Sequence, residues 1–68
     1  MQKCSFLAHG KGIVSKLFIA ADMSAEAAKR QAGKDAQREF GTVAGLTFFL
    51  NARVERKAAF WEVTGSVA

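Results

Sequence analysis

The spacing of hydrophobic and polar positions changes along the chain, and each change marks an element. Residues 4–8 form a short apolar run, His9-Gly10-Lys11-Gly12 interrupts it, and Ile13–Ala21 resumes with branched and aromatic residues. Two glycines beside a lysine suit a tight turn, so this stretch predicts a β-hairpin. From Ala25 the period lengthens, and Ala25, Ala28, Ala32, Ala36 and Phe40 fall on one side of a helix. Ser24 stands at the N-cap position, and Glu26 lies in the first turn, where the helix dipole favours a negative charge. Gly41 follows Phe40 as a stop, while Gly33 in the interior costs about 1 kcal/mol against alanine.

Beyond Gly41 the residues Thr42–Arg53 read as a strand, with Leu46, Phe48 and Leu50 on one face and Thr47, Phe49 and Asn51 on the other. Val54–Lys57 is charged and reads as a turn. Ala58–Thr64 returns as the last strand, with Phe60 and Trp61 on opposite faces, and Gly65–Ala68 is expected to fray. A further turn at Ala44-Gly45 would split the long strand and add one more.

These elements add up to an α+β fold of order β-β-α-β-β(-β). An antiparallel four- or five-stranded sheet carries one α-helix packed on one face, and residues 1–68 form a single α+β domain. The expected core is Phe6, Leu17, Ile19, Leu46, Phe48, Leu50 and Val63. A face built mostly of alanine lets the helix lie close to the sheet. One helix covers one face only, so Phe18, Phe49, Phe60 and Trp61 cannot all lie beneath it, and an exposed apolar group suggests an interface.

Composition narrows the chemistry. A chain of 68 residues buries only about 60% of its unfolded surface, so its core is small. With one cysteine and one histidine there is no intramolecular disulfide and no closed zinc site, and no cofactor or metal is expected. Cys4 reads as a buried structural thiol and His9 as a solvated turn histidine. Gly10-Lys11-Gly12 lacks the spacing of a phosphate-binding loop, and the six carboxylates are dispersed. A chain this small does not easily enclose a substrate pocket, so it is not expected to be an enzyme. Met1–Ala8 does not read as an export signal, and no apolar stretch is long enough to span a membrane. The expected compartment is the cytoplasm, with no membrane partner.

Charge supplies the functional clue. The net charge is +4 and the isoelectric point is near 9.7, which favours an anionic partner. Arg30, Lys34 and Arg38 recur at i, i+4 and i+8, opposite the alanine face, and form one basic stripe. Lys29 flanks the buried face, and Asp35 and Glu39 fall toward the other border. Arg53, Arg56 and Lys57 form a second cluster, and Lys11 and Lys16 lie on the first hairpin. Arginine suits bidentate contacts with phosphate or carboxylate, while lysine supplies a point charge. A solvated helix face balanced by nearby acids is the plain alternative.

Several short stretches carry a likeness. They are Ala20-Ala21, Ala28-Lys29-Arg30-Gln31-Ala32-Gly33-Lys34, Gly41-Thr42-Val43 and Trp61-Glu62-Val63. Together they resemble small phage-encoded anti-CRISPR proteins that inhibit type I (Cascade or Csy) surveillance complexes. The likeness spans residues 17 to 63, with a one-residue shift before Gly41. It implies a strand ending at the alanine pair, a Lys-Arg helix, a strand opening at Gly-Thr-Val and a last strand containing tryptophan. It also implies docking on the Cas7 backbone subunits beside the CRISPR RNA, in the host bacterial cytoplasm, where target DNA would otherwise pair. Some members also promote non-specific double-stranded DNA binding. Lys29, Arg30 and Lys34 are the matched helix positions, and Arg56 and Lys57 transfer loosely because Glu55-Arg56-Lys57 replaces an Asp-Gly-Lys type of turn. Arg38 and Arg53 come from the charge pattern alone. A small basic DNA-binding phage or plasmid regulator is the alternative that positive charge supports.

Overall fold

A computed structural model describes residues 6–68. The expected strand start at Cys4, and its thiol, lie outside these residues. The elements run β1 (Leu7–Gly10), β2 (Ile13–Ile19), a 3-10 turn (Ala20–Asp22), α1 (Ala25–Phe40), α2 (Thr42–Asn51), β3 (Arg53–Lys57) and β4 (Phe60–Ser66). The strands form one antiparallel four-stranded sheet in the order β1-β2-β4-β3. The class is α+β as the sequence implies, but two helices stand where one was expected.

Local chemistry accounts for the first half. Lys11 (φ 55°) and Gly12 (φ 78°) are both left-handed between the paired Gly10 and Ile13, the geometry of a two-residue hairpin loop that follows strand twist. The Ser24 hydroxyl accepts from the Ala27 N–H at 3.2 Å and caps α1. Gly41, at φ 100°, ends α1 by donating its N–H to the Gln37 carbonyl at 2.9 Å. Its own carbonyl accepts from the Gly45 N–H at 2.9 Å and starts α2. A single glycine therefore joins the helices.

The strand expected over Thr42–Arg53 is the helix α2, so Gly41-Thr42-Val43 opens a helix and not a strand. Phe49 interrupts the polar face that Thr47 and Asn51 would form, and a short run rich in apolar residues does not distinguish strand from helix by alternation. Its helical period is carried by small residues. Gly45 and Phe48 are buried, with Ala44 and Ala52 partly so, one to two turns apart. This reassignment removes Leu46 and Leu50 from the core, where they were expected; they are 49% and 81% exposed. The expected turn at Val54–Lys57 is the strand β3, and the chain reverses at Ala58-Ala59 instead. The tail does not fray at Gly65, because β4 continues to Ser66 and the Val67 N–H donates to the Gly12 carbonyl at 2.8 Å.

Strand alternation assigns the two faces of the sheet. Val14 pairs with Gly65, Lys16 with Val63 and Phe18 with Trp61, and these lie under the helices together with Val54. Leu17 and Ile19, expected in the core, alternate onto the open face with Leu7 and Phe60, and all four are exposed. The register that turns Val14 and Phe18 inward carries Lys16 with them, and Asp35 of α1 meets its ammonium there in a salt bridge. Asp35 is itself buried rather than at the border, and it also accepts from Gln31 (3.0 Å) and Arg38 (3.1 Å).

The core lies between sheet and helices. Phe6, Val14, Phe48, Val63 and the three alanines Ala28, Ala32 and Ala36 are buried in it. Phe6 meets Phe40 and Phe48 edge-on, with ring centroids 5.4 and 5.5 Å apart. Such contacts add about 0.5–1.5 kcal/mol each beyond area burial. Trp61 and Phe18 pack against this core, and the Trp61 Nε1–H donates to the Met23 carbonyl at 2.8 Å. The helices approach each other through glycine. A Cβ on Gly45 would lie 2.5 Å from both the backbone N and Cα of Gln37. Gly45→Ala is expected to destabilise by about 1–3 kcal/mol, because overpacking outweighs the gain in helix propensity. Urea unfolding followed by circular dichroism measures it.

Candidate docking surface

The basic stripe expected on α1 is present. Arg30, Lys34 and Arg38 are all exposed. They are not equivalent, since Arg38 reaches back to the buried Asp35 carboxylate at 3.1 Å. Arg30 and Lys34 make no ion pair among the described residues, and they stand one helical turn apart.

These two cations form one wall of a cleft between the helices. Its lining is Arg30, Gly33, Lys34 and Gln37 from α1 with Leu46 and Phe49 from α2, and its volume is about 180 Å³. Gly33 explains how the floor forms. A Cβ there would meet Phe49 Cδ1 at 2.8 Å, so the missing side chain lets the Phe49 ring settle on α1. Lys29 lies over the same ring, with its Nζ 5.2 Å from the centroid, a cation–π contact. Two expected site residues, Arg30 and Lys34, thus line this groove, and a third, Lys29, lies over the Phe49 ring.

The apolar wall continues outward along α2. Val43 (78% exposed), Leu46 and Leu50 recur at i, i+3 and i+7 and form an uncovered stripe. A helix apolar on all sides is normally buried on all sides. Here one side packs on α1 and β4, and the other meets solvent. Sequence reasoning missed Leu46, Leu50 and Val43 as surface residues because it read the segment as a strand. The signal available was the lack of polar positions in Val43–Leu50, where Thr47 is the sole polar side chain.

The second basic cluster does not form one patch. Arg53 and Lys57 alternate onto the open sheet face, and Lys57 sits between Glu55 (3.3 Å) and Glu62 (3.8 Å). Arg56 alternates to the helix side. Its guanidinium lies 5.2 Å from the Trp61 ring centroid, and its Nε–H donates to the Ala58 carbonyl at 2.9 Å. Lys16 is engaged with Asp35 and is not a surface cation.

Other reactive groups are structural in their setting. His9 is exposed as expected but lies in β1 and not in a turn, with Nε2 2.8 Å from the Ser15 hydroxyl. Ser15 is fully buried, and its hydroxyl ties β1 to β2 through His9. No cluster of metal-ligating side chains occurs among the described residues. Among them, no helix is long and apolar enough to cross a membrane. In comparisons with known proteins, no family model matches the chain, and no curated protein or solved structure matches it significantly.

Proposed function

We propose that this chain acts by binding rather than catalysis, through the outer face of the α1–α2 hairpin, on an acidic macromolecular partner. The observation that carries this reading is that Arg30 and Lys34 share one cleft with the exposed Leu46 and the half-buried Phe49 ring. Unpaired cations alone would suit free duplex DNA, whose affinity comes from phosphate neutralisation. The exposed apolar wall has no complement on a phosphate backbone. It fits a protein surface that is acidic and apolar together, which favours a protein partner over free nucleic acid.

The specific form of this proposal is an inhibitor of a type I CRISPR surveillance complex that docks on Cas7 subunits and occludes target DNA by bulk and charge. Its support is the small basic chain, the exposed Arg30 and Lys34 of the Ala28–Lys34 helix motif, and a last strand that contains Trp61. The helical start at Gly41 counts against it, because the likeness implies a strand there. The test is association with purified type I complexes, followed by their binding to target DNA. The proposal expects stable association and loss of DNA binding. Affinity for free duplex alone, weakening steeply with salt, would replace it with the DNA-binding regulator reading. No association with complexes of any subtype would end it.

A further inference from the structure

Resting on the docking surface proposed above, the geometry points to an occupant of defined shape: an amphipathic acidic helix of a partner protein. It inserts one large apolar side chain between Leu46 and Phe49 and presents carboxylates one turn apart to Arg30 and Lys34. Three observations lead there. The cleft holds about 180 Å³, and a cavity of roughly 150 Å³ accepts a group the size of benzene, so one leucine or phenylalanine side chain fills it. The groove runs between two helices, a site that amphipathic helices occupy by their i, i+3, i+4 and i+7 anchors. Arg30 and Lys34 rim it at helical spacing, and no acid among the described residues pairs with them. Carboxylates at i and i+4 of a partner helix match that spacing. A flat anionic surface would satisfy the charges but leave the concave apolar floor empty.

The test is a ¹⁵N–¹H NMR titration of the intact protein with a synthetic helical peptide of about 18 residues, some 27 Å long. The peptide carries Leu at i, i+4 and i+7 with Glu on the adjoining turns. Two control peptides carry Gln for Glu or Ala for Leu. The inference expects amide shifts confined to the neighbourhood of Arg30, Gly33, Lys34, Leu46 and Phe49. It also expects affinity to fall by about tenfold or more with either control peptide. Leu46→Ala with Leu50→Ala should weaken the peptide to the same extent without unfolding the protein, since both residues are exposed. Shifts centred on Leu17 and Phe60, or no shifts at millimolar peptide, overturn the inference. Binding to phosphatidylcholine–phosphatidylglycerol vesicles through Leu46 and Leu50, with the peptide ignored, reassigns the groove to a membrane surface. Concentration-dependent self-association that these substitutions abolish reassigns it to a second copy. The two readings fail separately. If charge reversal at Arg30 and Lys34 abolishes capture of a surveillance complex while Leu46→Ala with Leu50→Ala does not, the electropositive surface stands and the helix-in-groove occupant falls.

Discussion

Asp35→Ala is expected to remove most of the protein's stability, although the residue sits on a helix among polar neighbours. Its carboxylate holds Lys16 of β2, Gln31 and Arg38 at once. Lys16 lies inside the sheet–helix layer, with its ammonium 5.3 Å from the Phe6 ring centroid and 5.5 Å from that of Phe18. Without Asp35 that ammonium is left among aromatic rings with no counter-charge. Breaking a fully buried pair costs about 3–5 kcal/mol, an upper bound for this part-buried one. A domain of this size has about 3–10 kcal/mol in total. Asp35→Ala should therefore lower the urea midpoint drastically or abolish cooperative unfolding. Lys16→Met combined with Asp35→Leu should recover much of the loss, since apolar replacement of both partners is often neutral or stabilising. An unchanged midpoint in Asp35→Ala would mean that the pair adds nothing to the fold.

Phe48→Ala is the second large effect, and it also separates helix from strand. Phe48 is fully buried, edge-on to Phe6, with its ring against Gly65 of β4. Truncation leaves a cavity between both helices and the sheet, at a cost of about 3–5 kcal/mol. Were Thr42–Arg53 a strand, Leu46 and Leu50 would share that buried face, and each alanine substitution would cost about 2–5 kcal/mol. In the helix they project outward, so Leu46→Ala and Leu50→Ala should each stay within about 0.5 kcal/mol of the parent. Chemical denaturation of the three variants side by side decides between the arrangements.

Much of the first half of the fold is legible in the residues themselves. Gly10-Lys11-Gly12 dictates its turn through positive φ, and Ser24 and Gly41 bound α1 at the expected positions. Spacing alone sets the buried Ala28–Ala32–Ala36 row and the exposed Arg30–Lys34 pair. What local pattern does not reveal is decided by tertiary contact. α2 is rich in residues that favour strands, and it is helical because Gly45 and Gly33 let it seat against α1. Leu17 and Ile19 are more hydrophobic than Lys16, yet Lys16 turns inward in register with Val14 and Phe18, and Asp35, 19 positions along the chain, pairs with it there. The cation half of the proposed docking surface was therefore readable, and the apolar half was not. Seeing the apolar half required knowing that Leu46 and Leu50 leave the core together.

In the proposed function the helical hairpin, and not net charge in general, forms the working surface. Charge-matched reversals test it most directly. Arg30→Glu with Lys34→Glu changes the cleft, and Arg53→Glu with Lys57→Glu makes the same change in charge on the open sheet face. All four side chains are exposed, so both variants should remain folded. Affinity for a type I surveillance complex is then compared with that of the parent protein. The expected result is a loss of about 100-fold or more for the helix pair, and of about threefold or less for the sheet pair. Equal losses, or a parent-like affinity in the helix variant, would contradict the account.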